Sequence, residues 1–148
     1  MSSPHDFDFF HGEWEVVNRR RTDFLDPDSD WVEFPATNRC WPLFDGAANV
    51  DEIDMPYLGA KGATLRLFDR ETEEWSLNWA ASRSGKLFPP VVGRFDGDDT
   101  HEGKDVRVRF VWADMSAASA HWEQAFSLDG SGTWLTNWTM DFSRPKAA

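Results

Sequence analysis

The chain has 148 residues, enough for one domain with its own core, and carries 26 acidic against 15 basic side chains for a net charge of −11. That field repels a phosphate backbone and an anionic membrane surface alike, so neither nucleic acid nor a membrane is expected as a partner. Cys40 is the only cysteine, which excludes an intrachain disulfide and a multi-thiol metal site and suits a reducing, cytoplasmic setting.

The opening Met1-Ser2-Ser3-Pro4-His5-Asp6 has neither the basic start nor the apolar run of a signal peptide. A short helical piece is expected at 6–10. Strand character then follows at 13–21, 31–40, 47–54, 63–69, 74–81, 91–95, 104–112, 119–128 and 133–143, with a second short helical piece at 114–118. Trp75, Leu77 and Trp79 share one face of their run, with Ser76 and Asn78 opposite. Val106, Val108, Phe110 and Trp112 do the same against Arg107 and Arg109. Pro and Gly recur at turn-like spacing, and no linker or repeat interrupts the chain, so residues 1–148 read as one domain. So many consecutive antiparallel strands leave exposed edges unless the sheet closes. The expected fold is therefore a single all-β antiparallel barrel of about eight to ten strands, with a two-sheet sandwich as the alternative.

Three motifs bear on family. The segment Phe7-Asp8-Phe9-Phe10-His11-Gly12-Glu13-Trp14 resembles the Gly-x-Trp opening of lipocalin-like (calycin) barrels, in which an apolar turn plugs one end. That resemblance implies that an Arg on the last strand, here Arg144, packs over Trp14. Further stretches are Gly46-Ala47-Ala48-Asn49-Val50-Asp51-Glu52, Pro89-Pro90-Val91-Val92-Gly93-Arg94-Phe95 and His121-Trp122-Glu123-Gln124-Ala125-Phe126-Ser127, running on to Thr136-Asn137-Trp138. With them the whole chain resembles an uncharacterised family of small bacterial proteins with a calycin fold. In that family an Arg is more usual at 121 and an aromatic at 101. Ser127-Leu128-Asp129-Gly130-Ser131-Gly132-Thr133-Trp134 resembles an Asp-box hairpin, whose Asp accepts backbone N–H bonds inside the turn.

Chemistry has few places to sit. His121 and Glu123 are two apart on one strand and point the same way, so inside a barrel they would form an acid–base pair. Trp122 and Phe126 on the other face favour a solvated outer wall for them instead. Gln124 faces Trp138 if Leu128 pairs with Trp134, and faces Asn137 if Leu128 pairs with Thr133. Trp14, Val16, Asn18 and Arg20 share a face of the first strand, although Arg20, inside Arg19-Arg20-Arg21, also reads as exposed. Asn49, Asp51, Asn78, Arg107 and Arg109 are further polar strand residues. Candidate ligand-binding residues are thus Asn18, Arg20, Asn49, Trp79, Gln124 and Asn137.

His5, His11, His101 and His121 lack any metal-ligand spacing, and no cofactor motif is present, so no metal and no cofactor are expected. The leading expectation is a binding protein for a small apolar or aromatic molecule held in the barrel. Two alternatives stand beside it: a cofactor-independent isomerase or cyclase using His121 and Glu123, and a barrel holding haem through His121 or His11. A solid barrel with a structural role is a third reading, and a homodimer is the protein partnership left open.

Overall fold

The computed structural model describes residues 2–93, 100–103, 108–127 and 134–145; for 100–103 only the backbone is described. Among the described residues eleven strands run in chain order: β1 (Gly12–Arg21), β2 (Trp31–Leu43), β3 (Ala48–Met55), β4 (Ala60–Asp69), β5 (Glu74–Ala81), β6 (Lys86–Leu87), β7 (Val91–Gly93), β8 (Thr100–Gly103), β9 (Val108–Ala113), β10 (Ser119–Ser127) and β11 (Trp134–Ser143). Each pairs antiparallel with its sequence neighbour, except that β6 and β7 both lie on β5, as two pieces of one interrupted strand. Pro89 and Pro90 fall in the interruption, where neither can donate to a ladder. The first and last strands then pair, β1 on β11, and the ring of pairings returns on itself. This is the barrel expected from the strand count rather than a sandwich, and among the described residues it leaves no long unpaired edge.

Alternation decides what lies inside. On β1, Trp14, Val16 and Asn18 are buried between exposed Glu13, Glu15, Val17 and Arg19. On β2, Phe34, Ala36, Asn38 and Cys40 do the same. Burial pushes the Cys40 thiol up to about 12, leaving it an inert core group at neutral pH.

One end of the barrel is shut by aromatic packing. A 3₁₀ turn at Asp8–Phe10 carries Phe7 and Phe10 into the lumen. Phe7 meets Trp75 edge-on at 4.9 Å, and Phe10 meets Trp112 at 5.0 Å. The Trp14 indole N–H donates to the Phe10 carbonyl at 2.8 Å, and the Arg144 guanidinium covers the ring at 3.5 Å. Arg144 also donates to the carbonyls of Phe9, Glu13 and Ala117, lacing the plug to the first and last strands. Gly12 is required here twice over. Its φ is +106°, and a Cβ would sit 3.0 Å from an Arg144 Nη. The lipocalin-like opening read from Gly12, Trp14 and Arg144 is thus present as a packed unit.

Two local expectations change. The segment 114–118 is not helical: Ser116 Oγ accepts from the Ala118 and Ser119 N–H groups and builds a turn instead. The run expected at 104–112 is described from Val108, where β9 pairs with β8, and its first four residues lie outside the described ones. The ladder between β10 and β11 holds neither single register. Ser127 pairs with Trp134 and Ala125 with Thr136, but Gln124 pairs with Trp138, so Asn137 is the extra residue of a bulge. The Asp-box turn around Asp129, together with His101 and Arg107 as side chains, lies outside the described residues.

Candidate ligand-binding site

Beyond the aromatic plug the barrel is hollow. A cavity of about 580 Å³ reaches from Phe10 and Phe142 at the closed end to Arg20, Arg83 and Phe88 at the other. Phe88 is 48% exposed, and Lys61 and Arg83 are exposed as well, which marks this end as the mouth. A solid barrel is excluded by this space. The wall is largely apolar: Leu77, Trp79, Phe110, Trp122 and Trp138 supply most of its girth. Trp79 owes its position to Gly62, because a Cβ there would land inside its indole ring.

Polar groups enter at three depths. Deepest is a buried ion pair, Asp51 on β3 with Arg66 on β4, at 2.6 Å and with side chains only 4% and 6% exposed. Arg66 also donates to Asn49 at 3.0 Å, and its guanidinium lies about as far from the rings of Phe7 and Phe10, at 5.2 and 5.1 Å. Asn38 and Thr64 line the same region. At mid-height Gln124 donates to Asn137 at 3.0 Å. At the mouth the Arg20 guanidinium lies 4.4 Å from the Phe24 ring and 4.9 Å from that of Trp138.

The six residues read from sequence fall into two tiers. Arg20, Trp79 and Gln124 line the cavity. Asn18, Asn49 and Asn137 are fully buried behind its wall. Each of the three bonds a residue that does line it: Asn18 accepts from the Trp138 indole N–H at 2.9 Å, Asn49 accepts from Arg66, and Asn137 accepts from Gln124. The asparagines orient the wall rather than face the lumen. Asn38, Asp51, Thr64 and Arg66 add the buried polar groups of the lining, and of these only Asp51 stood out in the sequence.

His121 and Glu123 stand elsewhere. Trp122 and Gln124 take the inward positions of β10, so the pair faces outward, away from the cavity. There His121 Nδ1 bonds Asp141, its partner across the ladder, and Nε2 bonds Glu123, both at 2.7 Å. Burial works to lower the His121 pKa, but the bonds to Asp141 and Glu123 outweigh it and hold the imidazole protonated above its ordinary value. A histidine pKa raised by folding stabilises the fold fully below about 6.5, and that contribution fades as pH rises through the raised value. We expect the urea midpoint of the protein to fall relative to that of His121→Asn as pH climbs above 6.5. Parallel midpoints across that range would show that the bracketed imidazole does not couple to folding.

None of the described histidines lines the cavity, and the described residues hold no cluster of three or more His, Cys, Asp or Glu fit for a metal ion. No helix among them is long and apolar enough to cross a membrane.

A meandering antiparallel barrel, closed by its first and last strands, plugged at one end and hollow behind the plug, defines the lipocalin-like class. No protein-family model and no curated protein matches the sequence. Among solved structures, the S-type phycobiliprotein lyase CPES from Guillardia theta is similar at a TM-score of 0.52 and 10% identity, over 100% of this chain and 95% of that one. The likeness is one of fold.

Proposed function

We propose that this protein binds a small apolar or aromatic molecule in its barrel. The observation that carries the reading is the cavity: about 580 Å³, within the range of roughly 300–1,000 Å³ usual for small-molecule sites, and walled by aromatic rings with few convergent polar groups. The wall is held in place beforehand by the buried asparagines, so a ligand meets it with little left to order. The phycobiliprotein lyase shares the barrel fold, an analogy that accompanies the reading and does not carry it. The isomerase-type alternative has less behind it. It asks for a free acid–base pair in the lumen, whereas His121 and Glu123 bond each other outside and the lining carboxylate Asp51 is bound by Arg66. We also propose that the chain belongs to the uncharacterised family of small bacterial calycin-like proteins that its sequence resembles.

N-phenyl-1-naphthylamine, a neutral aromatic fluorophore, tests the reading. It should bind saturably with one molecule per chain. Ala81→Trp, which fills the lumen beside Trp79, should weaken binding at least ten-fold while the circular dichroism spectrum stays unchanged. Binding that is unsaturable, or that is undisturbed in a folded Ala81→Trp variant, would overturn it.

A further inference from the structure

We infer that the ligand carries a carboxylate, and that Arg20 receives it at the cavity mouth. The inference deepens the binding reading above and rests on it.

The lining is lopsided in charge. Among the described residues Arg20, Lys61, Arg66 and Arg83 contribute cations, and Asp51 contributes the carboxylate. Three of the cations have protein partners. Arg66 is held by Asp51, Lys61 lies 4.0 Å from Asp54, and Arg83 donates to the Leu58 carbonyl. Arg20 has rings against it but, among the described residues, no hydrogen bond and no ion pair. Its Nε is shut away from water without an acceptor. This happens in a chain with 26 acidic residues to draw on, eleven more than its basic ones. The neighbours in the basic run behave differently. Arg19 and Arg21 point outward onto Trp31, and Arg21 donates to the carbonyls of Thr136, Pro27 and Ser29.

What the protein leaves undone at Arg20 is what an anion would do. Burial and the charge of Arg83 both act against the Arg20 cation, lowering its pKa. A carboxylate entering between the two guanidiniums relieves both costs. A planar guanidinium supported by aromatic rings keeps its edge N–H donors for a bidentate acceptor, a geometry that an ammonium lacks. The support is itself fixed, because Asn18 holds Trp138 by the indole N–H. The recognised molecule therefore has a flat apolar body for Trp79, Phe110 and Trp122 and one carboxylate left at the opening.

1-Pyrenebutyrate and its methyl ester share a body and differ in charge, so their relative affinities read the site. The wild-type protein should prefer the acid by roughly ten-fold or more, as charge-assisted hydrogen bonds imply. Arg20→Leu should erase that preference, so that acid and ester bind the variant within about two-fold of each other, an apolar contact being retained. Arg20→Lys should keep part of it. Equal affinity of the wild-type protein for acid and ester would overturn the inference, and so would a preference that survives in Arg20→Leu. Either result leaves cavity binding standing. Failure of the ester itself to bind saturably would instead remove the binding reading, and the inference with it.

Discussion

Trp14→Ala should cost about 3–5 kcal/mol of folding stability, the scale of removing a large aromatic from a packed core. The side chain is 1% exposed and touches three residues: Phe10 of the plug, through both its ring and its carbonyl, Phe142 of the last strand and the Arg144 guanidinium. Truncation empties that space and strands a buried carbonyl, while Arg144 loses the ring beneath it but keeps its three backbone acceptors. The double variant Trp14→Ala/Arg144→Ala should therefore lose less than the sum of the two single losses, because one contact is removed in both. Urea denaturation monitored by circular dichroism measures all three. A loss below about 1 kcal/mol for Trp14→Ala would mean that the plug does not hold the closed end.

Arg66→Met should be of similar size, about 3–5 kcal/mol, for a different reason. The methionine keeps most of the volume, so the cost is not a cavity. It is the Asp51 carboxylate, 4% exposed and left without its cation, together with the Asn49 carbonyl left without a donor. Replacing both partners, as in Asp51→Leu/Arg66→Met, should recover much of the loss, since no buried charge then remains. The thermodynamic cycle across the four proteins gives the coupling. If the double variant is as unstable as the single one, the pair is not what the charge argument takes it to be.

These two sites differ in how far they could be read from sequence. The closed end was legible because its parts are local or positional. Gly12 and Trp14 lie within one short motif, and Arg144 falls just beyond the last strand. The inner face of β5 was legible too, since Trp75, Leu77 and Trp79 alternate with polar residues, and the first two are buried while Trp79 lines the cavity. Arg66 was not legible. It sits between Leu65 and Leu67, and a rule that turns apolar residues inward selects the leucines. What reverses the choice is pairing with β3: Asn49 stands directly opposite Arg66, and Asp51, two residues on, faces the same way. Such a register is a long-range fact that no local window contains.

The β10–β11 hairpin shows a related limit. The two registers open to the sequence are each realised over part of the ladder, because the bulge at Asn137 switches between them. A bulge has no composition of its own to betray it, and here it lets adjacent Asn137 and Trp138 both be buried. His121 and Glu123 were legible as sharing a face, and Trp122 settles which face. Asp141, the other carboxylate on the imidazole, comes from the neighbouring strand and joins only through the folded ladder.

The central claim is that a ligand enters the barrel, and the indole N–H signals of the protein report on it by position. Nitrogen–proton correlation spectra recorded during a titration with N-phenyl-1-naphthylamine separate cavity tryptophans from outer ones in one experiment. Trp79, Trp122 and Trp138 line the lumen, whereas Trp41 is 44% exposed and Trp31 carries Arg19 and Arg21 on the outer wall. The account predicts that the first three signals shift in proportion to occupancy while those of Trp31 and Trp41 stay where they are. Movement of Trp31 and Trp41 with the lumen tryptophans unmoved would contradict it.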